Sequence, residues 1–157
     1  MRLLSSLLLP LLLSLLLGCS KKDDATPAPA ASMASYTLSG VTRTCQATAK
    51  TSVAPVTPAY DELVLNLVTT PEPASGKEYV VIYFNKAVGE PVSKYQCAGI
   101  DYFSKNSTVH ARYDGGATSV TQTSSGGFSG TFTGNLVSTI PTSGSSITAG
   151  AFTDLHP

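Results

Sequence analysis

The sequence predicts an all-β domain, built as an antiparallel β-sandwich or a small barrel of about eight short strands. Composition is the first observation. Charged residues make up 13% of the 157 residues, well below the about 25% that is typical of globular proteins, and Ser and Thr supply much of the polarity. Alternation is the second: short runs switch between apolar and polar residues and are separated by turn sequences, which is the pattern of half-buried strands.

Residues 1–18 precede this domain and have the pattern of an export signal. Arg2 gives a positive start, and residues 3–17 form an apolar run interrupted by serines and Pro10. The run is shorter than the about 20 apolar residues that a membrane-spanning helix needs, and a proline in its middle disfavours a continuous helix. We therefore predict a signal peptide.

The end of this segment reads Leu16-Leu17-Gly18-Cys19 and resembles the lipobox of bacterial lipoproteins. In that family a diacylglycerol is attached to the cysteine thiol, and the signal peptidase cuts before the modified residue. The resemblance implies that Cys19 is the lipid-attachment site and the first residue of the mature chain. The alternative is an ordinary secretory signal in which the cysteine is incidental.

The charged residues Lys21, Lys22, Asp23 and Asp24 follow the cysteine. A lysine followed by paired acids resembles the export tag of surface lipoproteins of the Bacteroidota. The resemblance implies a protein that is lipid-anchored in the outer membrane and exposed on the cell surface. If the charges only solvate a tether, the periplasmic face of that membrane is the alternative.

The mature chain divides into a tether and one domain. Residues 19–35 carry the lipidated cysteine and are otherwise rich in Ala, Pro and Ser, with Pro27 and Pro29 favouring extended backbone. They are predicted to form a flexible tether. Residues 36–157 are predicted to form the β domain, which is long enough to bury a core of its own.

The strands are predicted in chain order from their alternation. Residues 36–49 alternate loosely, and residues 62–69 place a leucine at every second position. Residues 78–85 form the most apolar run, which we expect to be covered on both faces. Residues 114–116, Asp-Gly-Gly, indicate a hairpin turn. Further strands are predicted at 95–103, 108–113, 118–123, 127–136 and 146–155.

The stretch from 127 to 136 has the clearest pattern, with Phe128, Gly130, Phe132, Gly134 and Leu136 on one face. Glycines at inward positions leave room for bulky neighbours or mark bends. Together with the later run ITAGAF, this GGFSGTF segment resembles the C-terminal part of small Bacteroidota lipoproteins with a β-rich domain of unknown function. The resemblance covers residues 126–156 and implies a fold and a location, but no activity.

Two cysteines remain once Cys19 is assigned to lipid. Cys45 and Cys97 form an even pair in an exported chain, which favours a disulfide between them. Such a bond would close a loop of about 52 residues and stabilise the domain by at most roughly 4 kcal/mol. Two free thiols are the alternative. Neither cysteine has the spacing of a metal ligand, so no metal or cofactor is predicted.

Side chains that carry catalysis are sparse. His110 lies in a predicted strand, His156 is the penultimate residue, and no G-x-S-x-G sequence accompanies the many serines. Asp61 and Glu62 are adjacent and therefore point to opposite faces of a strand. No catalytic residue is predicted. The balanced net charge also argues against nucleic acid as a partner.

Aromatic residues are the remaining candidates for a binding site. Tyr102 and Phe103 lie beside a predicted turn and are proposed as a ligand platform, because glycan-binding modules stack sugars on exposed aromatic rings. We expect a non-enzymatic binding or accessory module that is anchored to a membrane through its lipid and contacts a glycan or an envelope protein. A hydrolase using Asp or Glu carboxylates, or a structural subunit of an envelope complex, are the alternatives.

Overall fold

The computed structural model describes residues 33–74, 76–104, 108–137 and 146–157. It contains eight antiparallel strands and a short 3-10 helix at Val92–Lys94. Each strand pairs with the next, and β8 pairs with β1, so the sheet closes into a barrel. The strands are β1 Met33–Leu38, β2 Val41–Ala54, β3 Tyr60–Thr69, β4 Glu78–Ala87, β5 Gln96–Ser104, β6 Thr108–Gln122, β7 Phe128–Leu136 and β8 Ile147–Leu155. The predicted all-β, eight-stranded antiparallel fold is confirmed, and a barrel is the architecture found.

Within those ranges, no helix has the length and hydropathy needed to span a membrane.

Several predictions concern residues outside the described ranges. The signal peptide at 1–18, the lipid site Cys19 and the export tag at 21–24 all lie there. The domain itself begins earlier than predicted, because β1 starts at Met33 rather than at Tyr36.

Two strand boundaries differ from the prediction. The first predicted strand is two strands, since a turn at Ser39 and Gly40 separates β1 from β2. The predicted hairpin turn at 114–116 lies instead inside β6, where the pairing with β7 shifts register between Gly115 and Thr118. A bulge of this kind bends a strand without ending it, so the two strands predicted there are one.

Inward and outward residues alternate along each wall of the barrel. Leu63, Leu65 and Leu67 of β3 are fully buried, as their spacing predicts. On β4 the inward residues are likewise buried, but Tyr83 and its outward neighbours are half exposed. The prediction that this strand is covered on both faces is therefore wrong, because a closed barrel buries only the inner face of each strand.

Inward glycines make room for large side chains, as predicted. A Cβ atom at Gly130 would lie 2.8 Å from Cζ of Phe152, and one at Gly134 would lie 2.8 Å from Cδ1 of Ile100. An eight-stranded barrel has an interior just wide enough for side chains to fill. The described interior is therefore a packed core rather than a ligand cavity.

The predicted disulfide is not formed, because Cys45 and Cys97 are both free thiols. Strands β3 and β4 lie between the two cysteines. Across these strands, Cys97 lies opposite Phe84, Phe84 opposite Leu63 and Leu63 opposite Thr51. Thr51 is roughly 20 Å along β2 from Cys45, whereas a disulfide needs Cα atoms within about 7 Å. Burial raises the pKa of each thiol to about 11, which keeps both protonated.

Replacing Gly130 with alanine tests how tightly the interior is filled. The added Cβ would also lie 2.1 Å from the Ser119 carbonyl oxygen, so backbone has to move. We expect Gly130→Ala to lower the free energy of unfolding by about 1–3 kcal/mol, measured by urea denaturation. Gly99→Ala is the matched control, since its Cβ would meet nothing closer than 3.7 Å. Equal stability of the two variants would contradict a tightly filled interior.

Candidate functional site

One end of the barrel, which we call the first end, is closed by a buried carboxylate. Glu78 is 4% exposed. Its Oε1 accepts hydrogen bonds from the Tyr36 hydroxyl at 2.8 Å, from Arg43 Nε at 2.9 Å and from Thr69 Oγ1 at 3.3 Å. Its Oε2 accepts one from the Tyr102 hydroxyl at 3.0 Å. Five different strands thus meet at this side chain.

The environment of Glu78 favours its charged form. Burial alone would raise the pKa of the carboxyl, but the hydrogen bonds from Tyr36, Arg43 and Tyr102 outweigh it and lower the pKa. Burial and the neighbouring carboxylate raise the pKa of Tyr102 to about 12, so the phenol stays neutral and donates. A general acid needs a raised pKa. Glu78 is therefore a structural anion that ties the first end together.

The two residues proposed as a ligand platform are not brought together. Tyr102 points inward to Glu78, whereas Phe103 points outward and stacks on Tyr79, with ring centroids 4.5 Å apart and planes 6° from parallel. Neighbouring residues of a strand face opposite sides. A platform made by both side chains is therefore ruled out by the geometry of β5.

The opposite end, which we call the second end, is also closed by side chains. Tyr95 is 6% exposed and packs edge-on against Phe128, with centroids 6.3 Å apart. The Lys86 ammonium lies 5.4 Å from the centre of the Tyr95 ring and forms an ion pair with Asp61. With the interior filled and both ends closed, the outer wall is the surface left for a ligand among the described residues, which leave out 105–107 and 138–145.

A groove crosses the outer wall over β3 to β6, and we call it the wall groove. Its floor is formed by Gly99, which lies opposite Tyr83 and has no side chain to fill the space. It holds a volume of about 420 Å³. The polar and aromatic residues that line it are Tyr60, Glu62, Tyr83, Asn85, Arg112, Tyr113 and Asp114.

One side of the wall groove is fixed by an ion pair. Arg112 donates to both oxygens of Asp101, at 2.9 Å from Nε and 3.3 Å from Nη2, and Asp101 is 7% exposed. Burial and then the Asp101 carboxylate raise the pKa of the Tyr83 hydroxyl. The guanidinium of Arg112 is held in place by Asp101 before a ligand arrives.

Asn85 adds an unsatisfied acceptor. Its Oδ1 is buried and has no hydrogen-bond partner among the described residues. A buried polar atom without a partner calls for an explanation, and a ligand hydroxyl or a water molecule would supply one. Asn85 and Tyr60 also line a second groove of about 520 Å³ that continues toward Glu90 and Lys94. The two grooves form one elongated surface.

The two carboxylates of the wall groove come from strands that are not neighbours. Glu62 lies on β3 and Asp114 on β6, so three strand spacings, or roughly 14 Å, separate their backbones. Paired carboxylates in glycoside hydrolases are about 5–9.5 Å apart. Asp61 and Glu62 face opposite sides, as predicted, because Asp61 points inward to Lys86. This geometry gives no support to a hydrolase.

His156 is not among the residues that line the wall groove. The side chain of His110 lies outside the described part of the chain. His156 follows β8, and its Nε2 lies 3.4 Å from Oδ1 of Asp154 on the surface. Sequence reasoning missed the wall groove because its residues come from four strands and carry no motif.

Replacing Glu78 with glutamine tests the buried anion. Because the folded-state pKa lies below the ordinary value of 4.5, the ionised group stabilises the fold above that pH, and this contribution is lost as the pH falls through the folded-state pKa. We expect Glu78→Gln to be less stable at pH 7 by about 1.5–3 kcal/mol and to lose less stability in acid. Urea unfolding from pH 7 to pH 3 measures this, with exposed Glu72→Gln as control. A deficit that stays constant with pH would contradict the assignment.

Comparison of the chain with family models, with curated proteins and with solved structures found no match. The function is therefore argued from the residues and the geometry of the barrel.

Proposed function

We propose that this chain is a lipid-anchored envelope protein that binds an elongated polar ligand, of the carbohydrate class, on the outer wall of its barrel without converting it. The wall groove carries the proposal. It is the described surface where aromatic rings, charged groups and an unsatisfied acceptor converge, which is the usual composition of a specific small-molecule site.

Three features of the wall groove favour a sugar over an apolar ligand. Tyr60 and Tyr83 lie on adjacent strands and offer ring surface against which a sugar packs. Arg112 and Glu62 offer a donor and an acceptor to ring hydroxyls. Oδ1 of Asn85 gains on binding the hydrogen bond that no described residue gives it. Continuation of the surface past Tyr60 toward Glu90 suits a chain of several sugars rather than a single one.

The proposed anchor rests on the sequence. The lipobox at 16–19 and the charged residues at 21–24 support attachment through Cys19 and exposure on the cell surface. A binding module on a lipid anchor needs no catalytic centre, and the buried carboxylate of Glu78 has a lowered pKa rather than the raised one of an acid catalyst. These observations favour a non-enzymatic module.

Affinity electrophoresis tests the wall groove. The mature protein is run through gels that contain dextran, mannan, xylan or the polysaccharide fraction of the producing cells. We expect retardation by at least one of these polymers, and an about tenfold weaker affinity, worth about 1.4 kcal/mol, in Tyr83→Ala. The matched control is Tyr79→Ala, because Tyr79 lies on the same face of β4 but stacks on Phe103 outside the groove. Equal loss in both variants, or retardation by none of the polymers, would contradict the proposal.

Metabolic labelling with an alkyne fatty acid tests the anchor. We expect label and membrane fractionation in the wild type, and neither in Cys19→Ser, because the thiol that carries the lipid is removed. Cys97→Ser should keep both. Protease treatment of intact cells then tests surface exposure: replacing residues 21–24 with alanine should protect a protein that is digested in the wild type. Label that persists in Cys19→Ser would rule out this anchor.

A further inference from the structure

The wall groove is lined by acceptors from both of its sides. Glu62 lies opposite Asn85 on the neighbouring strand, and Tyr83 lies opposite Gly99. Asp114 lines the far side of the groove from β6. Two carboxylates therefore border the space above Gly99, together with the buried Oδ1 of Asn85, to which no described residue donates.

The arginine of the wall groove is already engaged by a third carboxylate. Arg112 donates to both oxygens of Asp101, whose side chain is 11% exposed, whereas that of Arg112 is 68% exposed. Removing one partner of a buried ion pair leaves an uncompensated charge, which is costly, so Arg112 stays with Asp101. As a unit this pair is neutral, and the charge that a ligand meets in the groove is the negative charge of Glu62 and Asp114.

The lysines nearest to the wall groove leave Glu62 able to bind a ligand. Lys86 is bound to Asp61. Lys50 lies on the same face of β2 as Ser52, two residues away, but it is Ser52 that lies opposite Glu62 and donates to its Oε2 at 2.9 Å. A carboxylate has about four acceptor sites, so Glu62 keeps this bond and still accepts donors from a ligand.

An aromatic ring adds a second attraction for a cation. Val64 lies opposite Tyr83, which makes Glu62 the diagonal neighbour of Tyr83, and diagonal neighbours are about 7–8 Å apart, within reach of aromatic and long side chains. The face of a tyrosine ring attracts a cation within about 6 Å of its centre. An ammonium group between these two side chains contacts both the ring and the carboxylate.

The second end of the barrel holds an ammonium group by the same two kinds of group. The Lys86 ammonium lies 5.4 Å from the centre of the Tyr95 ring and is paired with Asp61. Its side chain is only 8% exposed, so a tyrosine ring and a carboxylate together compensate for the water that this ammonium has lost. Tyr83 and Glu62 offer the same combination on the outer wall.

We propose that the wall groove binds a sugar that carries an unacetylated amino group, with its ammonium between Glu62 and the ring of Tyr83. This inference rests on the proposed function and narrows its ligand class from carbohydrates to amino sugars. Asp114 adds to the attraction from the far side. A guanidinium has five N–H donors, and those of Arg112 that Asp101 does not use are left for sugar hydroxyls.

An acidic sugar fits the same groove poorly. Its carboxylate would have to lie between Glu62 and Asp114, and like charges brought together in an interface are unfavourable. The second groove makes no such demand, because Glu90 and Lys94 line it with opposite charges. A chain of several sugars therefore needs its amino group only at the position over Gly99.

Calorimetric titration of the mature protein tests this inference. The probes are three oligomers of equal length and β-1,4 linkage, made of glucosamine, N-acetylglucosamine or glucose. We expect the glucosamine oligomer to bind about tenfold more tightly than either neutral oligomer. This preference should shrink as the ionic strength rises from about 0.01 M to about 1 M, because the screening length falls from about 30 Å to about 3 Å.

Two amide substitutions locate the effect. Glu62→Gln combined with Asp114→Asn removes both charges and keeps the shape of the groove, so we expect the preference for glucosamine to be lost. Binding of the neutral oligomers should change by less than about twofold, which also shows that the variant is folded. Glu90→Gln is the matched control in the second groove, and it should keep the full preference.

The outcomes separate this inference from the proposed function. Equal binding of the three oligomers would overturn the inference and leave the carbohydrate proposal standing. Binding of none of them, together with no retardation in the polysaccharide gels, would overturn both. A preference that persists in the variant of Glu62 and Asp114 would rule out the wall groove as its origin. Oligolysine that binds as tightly as the glucosamine oligomer would overturn the assignment to a sugar.

Discussion

The last two strands of the barrel pack with a phenylalanine of each strand lying against a glycine of the other. A Cβ at Gly130 of β7 would meet the ring of Phe152 on β8, and a Cβ at Gly150 of β8 would meet the ring of Phe132 on β7, at 2.5 Å. Each ring therefore lies in space that the other strand has vacated. Since an eight-stranded barrel has a nearly fixed interior width, this exchange lets both rings fit inside the barrel while β7 and β8 stay paired.

A filled interior decides where function resides. Lipocalin-like barrels of this strand number are able to hold one small ligand inside, but here fully buried rings and aliphatic side chains occupy that space. The first end uses a charge for the same purpose, because the carboxylate of Glu78 gathers hydroxyl and guanidinium donors from four other strands. Burying a carboxylate is costly unless it is paired and hydrogen-bonded, so these donors and Glu78 depend on one another. In the part of the chain that the structure describes, the outer wall is what remains for recognition.

The fold was largely predictable from period-two alternation, and the candidate site was not. Alternation assigned the inner faces of β3 and β7 correctly, because the apolar or polar character of each strand residue indicates whether it is buried. The prediction of a disulfide between Cys45 and Cys97 was wrong, because the number of cysteines and an oxidising cell compartment carry no information about strand order. Tyr102 and Phe103 were paired by adjacency in sequence, although adjacent residues of a strand face opposite sides. The wall groove depends on which outward residues of β3 to β6 become neighbours, and that follows only from pairing.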